Sequence, residues 1–355
     1  MLAAALSVAA CRNASTWPFS SDTIWNVALG ADANFTPADL FPENYVPHDG
    51  VFIDEDYFVS TAATDPLIEW YSQGHWNSTP DCEQFPWAPL VGKVPWPSNL
   101  TITRGGNNAL ALLHPDGDSL IFTQPAYRCG TGSTPLLSLY DARHGTGSLR
   151  GNGDYGGHGG SSLNAIGGSL RLGELLPGST APGPLHVLKI QLWAKYYYFG
   201  SAFGATWETC FRWPALVCDG YAMDANLYNG SNSRLKPGAL LAIPPAALPA
   251  LQAALVTEPA RQLAWTFSNY GGLLCDDTYS DRLTFNSEHG FDDAFFAAWG
   301  FPFVTWPGDP RPGAGAWLAD MLQLWRALEI VDSNAAESPG GGGAPLQPPP
   351  PPFCD

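Results

Sequence analysis

RGNGDYGGHGGSSLNAIGGSLRLGELLPGSTAPGPLHVLKIQLWAKYYYFG, residues 150–200, joins a glycine-dense loop to the longest run of strand-forming residues in the chain. The glycines give a backbone that can adopt positive φ and approach another group closely, at an entropic cost that something must offset. Within GDYGGHGG only Asp154, Tyr155 and His158 carry side chains able to hydrogen-bond or move a proton. A histidine among glycines reads first as part of a tight turn. Its functional reading is a catalytic base, with Tyr155 as the neighbouring candidate.

The run 186–199 is rich in β-branched and aromatic residues. The strand period of two places Lys189, Gln191, Trp193, Lys195 and Tyr197 on one face, and Leu188, Ile190, Leu192 and Ala194 behind His186 on the other. The apolar face predicts core. Cations, an amide and rings on the opposite face suit sugar hydroxyls and sugar faces, the plainer reading being a solvated face with snorkelling lysines. His186 is expected to be structural.

Working outward, 38 glycines and 33 prolines make a fifth of the 355 residues, and only 14% are charged. So turn-rich a chain predicts a mainly β fold, sandwich or jelly-roll-like, with accessory helices near 245–270 and 315–330; α+β is the alternative. The organisation expected is a weak signal-like or disordered start (1–16), one large domain (17–331) and a Gly/Pro-rich tail (332–355). Residues 65–73 read as two helical turns, with Pro66 at the first helical position. Residues 109–114 and 119–124 read as a hairpin closed by Asp-Gly. Trp76, Trp87 and Trp96 lie in a proline-rich loop, as core or as a binding platform.

The net charge of −17 argues against nucleic acid or an anionic membrane as partner. Between residues 128 and 212, however, seven basic residues face four acidic ones. That excess either attracts an acidic ligand or pairs with the acidic remainder, the second being the plainer outcome. Asp276, Asp277, Asp281, Asp292 and Asp293 read as solvated loop acids, with a catalytic carboxylate or cation site as the functional alternative. No cofactor or metal site is expected.

Seven cysteines show no C-x-x-C spacing, which argues for disulfides over a zinc ribbon. Cys82, Cys129, Cys210, Cys218 and Cys275 are expected to be bridged, Cys210 to Cys218, with an odd one joined to Cys11 or Cys354. Sequons at Asn13, Asn34, Asn77, Asn99 and Asn229 favour a secreted glycoprotein. The apolar start resembles a signal peptide without its basic region, and no apolar run is long enough to span a membrane. The tail, glycines and then a run of prolines, reads as a flexible and polyproline stretch unable to build a core, suited to contact wall or matrix proteins.

The segments WPFSSDTIWN, DGDSLIF and HGGSSLNAIGGSLRLGELLPG…LHVLKIQLW together resemble a group of secreted proteins with a PFS-x-x-S-x-WN opening, a Gly-rich GSGL loop and an R-x-x-E-[IL] segment before a histidine-containing strand. The similarity covers residues 17–193, with Thr23-Ile24 where the group tends to Ser-Pro. It implies a secreted β-rich domain and no particular activity.

The sequence thus predicts an extracellular, carbohydrate-directed glycoprotein of cell wall or matrix, whose partner is a polysaccharide or other glycan. Three readings stay open. One is a lyase-type enzyme with His158 or Tyr155 as base and Arg171 or Lys189 neutralising a uronate, Gln191, Trp193, Lys195 and Tyr197 holding the sugar. Another is a glycoside hydrolase using two of Glu174, Asp219 and Asp276. The third is a non-catalytic glycan-binding glycoprotein.

Overall fold

Residues 188–192 form the middle of a ten-stranded sheet, because their alternation gives each side of the strand a different partner. In this computed structural model the described residues are 11–73, 88–103, 107–139 and 145–354. In spatial order the large sheet runs Phe35–Pro37, Glu329–Val331, Leu240–Ala242, Gly272–Asp277, Leu188–Leu192, Leu283–Glu288, Val51–Ser60, Ala109–Leu113, Ser119–Thr123, Gly145–Ser148. Leu188–Leu192 is parallel to Gly272–Asp277 and antiparallel to Leu283–Glu288, which in turn is parallel to Val51–Ser60. The fold is therefore mainly β around a mixed sheet, with accessory helices. A smaller sheet orders Leu90–Pro95, Leu67–Ser72, Leu136–Ser138 and Ala126–Tyr127.

One face of the central strands is aliphatic. Ile53, Leu188, Ile190, Leu192, Leu274, Leu283 and Phe285 are buried there against helix α3 (Glu258–Asn269) and helix α5 (Ala314–Arg326), represented by Phe267 and Trp325. Helices α1 (Ala194–Tyr197), α2 (Leu248–Ala254) and α4 (Phe291–Trp299) complete the set. Pro259 sits in the first turn of α3, where its missing N–H costs nothing. Asp320 on α5 accepts from the N–H groups of Val256 and Thr257 just before α3, tying the two helices together.

The Asp-Gly hairpin forms, with Leu113 opposite Leu120 and Gly117 at φ +73°. Several expectations need correction. Residues 67–72 are strand, not helix: Ile68 and Trp70 are buried while Leu67 and Glu69 face out, so the period is two. The central strand stops at Leu192, and α1 turns the chain immediately after it, so Trp193, Lys195 and Tyr197 leave the face that carries Lys189 and Gln191. Two of the five aspartates read as loop acids, Asp276 and Asp277, are buried at the end of a strand. Asp292 accepts from the N–H of Phe303, fixing the start of α4.

Cys210 pairs with Cys218, Cys11 pairs with Cys354, and Cys129 is also bridged. Cys275 is a free thiol, contrary to expectation, because it lies fully buried among strand residues with its Sγ 3.3 Å from Asn286 Oδ1. Cys82, Asn77, Trp76 and Trp87 lie outside the described residues. Residues 333–354 do not stand apart from the domain. They lie across the segment 11–34: Arg12 bridges Phe353, Gly30 bridges Pro345, and Leu346 N–H donates to Leu29 O at 2.7 Å. Gly340 and Gly341 are buried at φ +71° and +94°. A Cβ on Gly30 would sit 1.8 Å from Gly342 O, so glycine supplies close packing here rather than flexibility.

Four of the seven basic residues of the segment 128–212 pair with acids outside it. Arg150 pairs with Asp118, Arg171 with Glu288, Lys189 with Asp56 and Arg212 with Asp332. No helix among the described residues is long and apolar enough to cross a membrane. The sequon residues Asn13, Asn34, Asn99 and Asn229 are all exposed.

Candidate functional site

The second face of the central strands is polar and almost wholly buried. Alternation puts Lys189 and Gln191, Asn286, and Asp54 and Asp56 on the same side of three neighbouring strands. On the fourth, the register shifts between Ile190 and Gln191, leaving Cys275 unpaired and setting Asp276 opposite Gln191. That bulge re-aims Asp276 among the other acids.

The glycine loop closes over this face. Gly157–His158 pairs with Leu163–Asn164, and the segment 159–161 makes a single tight turn. A Cβ on Gly159 would lie 1.9 Å from Asp276 Oδ2, and one on Gly160 would lie 2.4 Å from Asp219 Cγ. The backbone passes between two carboxylates, which only glycine permits. Gly160 N–H donates to Asp276 Oδ1 at 3.1 Å, and Gly159 N–H donates to Gln124 Oε1.

His158 is thereby lowered into a ring of acids. Its Nε2 lies 3.4 Å from Asp56 Oδ1 and 3.6 Å from Asp54 Oδ2, and its Nδ1 lies 3.8 Å from Asp276 Oδ2. Burial and the charge of Lys189 oppose the imidazolium. The Asp56 and Asp54 carboxylates outweigh them and lift His158 well above the usual imidazole range. His158 Nε2 also lies 2.7 Å from Asn286 Nδ2.

Lys189 is fully engaged. Its ammonium donates to Asn164 O at 2.9 Å and Ala165 O at 2.7 Å, and it meets Asp56 Oδ2 at 3.0 Å. Three donors thus meet three acceptors, leaving none for a substrate. Gln191 Nε2 donates to Asp54 Oδ2 at 2.7 Å and Asn286 Oδ1 at 3.1 Å, and Ser169 Oγ donates to Asp56 Oδ2 at 2.5 Å.

Of the residues expected from the sequence, His158, Lys189 and Gln191 come together. Tyr155 points outward and is 54% exposed. Arg171 lies beyond the cluster, its guanidinium 4.9 Å from the Phe58 ring and 3.4 Å from Glu288. Tyr197 packs against Phe41. Glu174 pairs with His186 at 3.0 Å, and Asp219 accepts from Tyr228 Oη. Asp54, Asp56, Asn107 and Asn286 were missed; the strand VFIDEDYFV carries a signal for two of them, since acids two apart in an apolar run must share a face.

Two acids of the cluster are shifted in opposite directions. Burial opposes ionisation of Asp54, but the hydrogen bond and charge of His158, with Gln191 and the Asn107 N–H, hold it far below the ordinary carboxylate range. Burial and the charge of Asp54 push Asp276 up, against His158 and the N–H groups of Gly160 and Asp277. Asn107 Nδ2 bridges the pair, 2.8 Å from Asp54 Oδ2 and 2.9 Å from Asp276 Oδ2. Lys189 and His158 thus set two cations among the buried carboxylates of Asp54, Asp56 and Asp276.

Solvent reaches the cluster along the edge where Asp54, Asp276 and Asp277 keep slight exposure, while His158, Asp56 and Lys189 have none. Asp277 organises an aromatic rim at that edge. It accepts from Ala194 N–H at 2.8 Å, Tyr279 N–H at 2.9 Å and Tyr221 Oη at 3.2 Å. Trp193 and Tyr196 meet edge to face at 4.7 Å with Lys195 over Trp193, and Tyr221 meets Tyr279 at 6.0 Å. Tyr279 is 66% exposed at φ +53°, a left-handed backbone unusual for a bulky residue.

Burial raises Asp277 to about 6 despite those donors. Between the ordinary 3.8 and about 6, the folded chain therefore holds a proton that the unfolded chain releases, so stability falls as pH rises through that window. The drop is on the order of 3 kcal/mol. Asp277→Asn should remove it, checked by urea titrations at intervals from pH 4 to 7.

No family model, curated protein or solved structure matches the chain.

Proposed function

We propose that this is a secreted, carbohydrate-directed enzyme that hydrolyses a glycosidic bond with the Asp54–Asp276 pair. The observation that carries the reading is one amide bridging two carboxylates whose environments drive their protonation apart, the division of labour between acid and base that this chemistry needs. Asp276, kept protonated, donates to the leaving oxygen. Asp54, kept ionised, acts as nucleophile or as base for water, on a sugar that takes the place of the Asn107 amide beside the pair. Trp193, Tyr196, Tyr221 and Tyr279 offer stacking faces beside the pair. The disulfides, the exposed sequons and the net charge support an extracellular site of action on an uncharged glycan. A lyase mechanism is less favoured, because Lys189 is saturated and Arg171 lies elsewhere.

Assay of the full chain against neutral and acidic polysaccharides, by release of reducing ends, tests this. Activity on a neutral glycan is expected, with Asp276→Asn and Asp54→Asn each lowering kcat at least about 10²-fold at a temperature where each variant is shown to be folded. Unsaturated products from a uronate would instead support the lyase. The complete burial of His158, Asp56 and Lys189 favours a second reading, in which the cluster locks the fold and the rim binds glycan without turnover. Binding lost in Trp193→Ala, with no turnover in the parent, would establish that one.

A further inference from the structure

We propose that the proline run 348–352 is a docking rod for a partner protein whose aromatic-lined groove takes two proline pairs. Proline holds φ at about −65°, and a residue that precedes proline is driven to extended ψ. Each residue from Gln347 to Pro351 precedes a proline, so the run has no folded alternative. Its peptide bonds are trans and none of its residues has a positive φ. These are the conditions of a polyproline II helix, which repeats every three residues.

The burial of the run has that period. Gln347 and Phe353 are half-buried and Pro350 is buried, so the ridge 347/350/353 lies on the domain. Pro348, Pro349 and Pro352 are exposed and Pro351 is half-buried, which turns the pairs Pro348–Pro349 and Pro351–Pro352 outward on either side of Pro350. Two outward pairs around one inward residue form the pattern that P-x-x-P grooves accept, with Pro349 and Pro352 about 9 Å apart along the rod.

The rod is fixed before any partner arrives. At one end Leu346 N–H donates to Leu29 O and Gln347 Nε2 donates to Asn269 Oδ1, both at 2.7 Å. At the other, Arg12 donates from Nε to Pro351 O and from its backbone N–H to Pro352 O, both at 2.8 Å, and Cys354 is bridged to Cys11. Capture therefore orders little further chain, which removes the main cost of binding a linear segment. Among the described residues nothing donates to the carbonyls of Pro348 and Pro349, so both can accept from the Trp or Tyr donors of a groove. Residues 344–353 carry no charge. Recognition thus rests on ring faces and neutral hydrogen bonds, which salt does not screen.

This surface is independent of the Asp54–Asp276 pair and of any turnover there. Titration of ¹⁵N-labelled SH3, WW and EVH1 domains, which are readers of proline rods, with the full chain tests the proposal. At least one of the three should bind, with shift changes confined to its groove and an affinity unchanged at high salt. The double variant Pro349→Ala with Pro352→Ala should weaken that binding at least about tenfold, whereas Pro350→Ala, on the inward ridge, should change it less than about threefold. The double variant alters only exposed rings and should keep the parental Tm, so its loss of binding is not a loss of fold. Cys354→Ser frees one end of the rod and should weaken binding at a temperature where the domain stays folded. Binding to none of the three domains, an equal loss in Pro350→Ala, or tighter binding in Cys354→Ser would overturn the proposal, the last because it would show the docked rod to be occluded. Self-association of the chain that the double variant abolishes would put a second copy on the rod and overturn it as well.

Discussion

Replacing Lys189 with methionine should destabilise the fold by about 3–5 kcal/mol, the cost of breaking a buried ion pair from one side. The stem of methionine fills nearly the same space, so the loss is electrostatic. Asp56 would be left fully buried without its cation, and the carbonyls of Asn164 and Ala165 would lose a charged donor. Those carbonyls belong to the glycine loop, so the same substitution should loosen the cover over His158. Urea denaturation measures the first effect, and amide exchange across residues 156–168 measures the second. Combining Lys189→Met with Asp56→Leu should recover part of the loss, because the double variant buries no unpaired charge. A single variant within about 1 kcal/mol of the parent would show that the ammonium is not needed to hold the loop.

The glycine loop and the polar face of strand 188–192 were legible because both follow from local rules: glycine density marks close backbone approach, and period two separates Lys189 and Gln191 from Leu188, Ile190 and Leu192. What covers that face was not legible. Asp54, Asn286 and Asp276 come from strands up to 137 residues from Gln191, joined by long-range pairings, two parallel and one antiparallel, that no short-range pattern announces. The bulge that turns Asp276 inward depends on one register shift, and nothing in LLCDD distinguishes it from a regular strand. Charge misled in the same way. Acids that count as solvent-facing by composition are buried here because His158 and Lys189 arrive with them. Trp193, Lys195 and Tyr197 were misplaced for a different reason: strand propensity in LWAKYYYFG is strong, yet the Asp277 carboxyl accepting from Ala194 N–H starts a helical turn instead. Tertiary contacts overrode propensity there.

Removing residues 333–355 should lower stability by about 5 kcal/mol or more, although composition alone predicts no change. The Cys11–Cys354 bridge closes a loop spanning 343 positions, and chain entropy assigns a closure of that size about 5 kcal/mol through restriction of the unfolded state. Packing adds to it. Leu346 and Phe353 lie against the cluster containing Leu29, Ala109 and Val331, and Asn334 Oδ1 accepts from Gly340 N–H at 3.0 Å, holding the turn that fits against Ala28 and Leu29. Arg12, 5% exposed, donates to Pro351 O at 2.8 Å, with its guanidinium 3.9 Å from the Phe353 ring; deletion would leave that charge with fewer acceptors. Scanning calorimetry separates the contributions. Cys354→Ser should lower Tm by about 10 °C, at roughly 2 °C per kcal/mol for a domain of this size, and truncation should lower it further. If truncation cost no more than Cys354→Ser, the proline-rich segment would act only as a tether for its cysteine. A Tm unchanged in both would mean that the tail leaves the domain in solution and that the flexible reading of its composition was right.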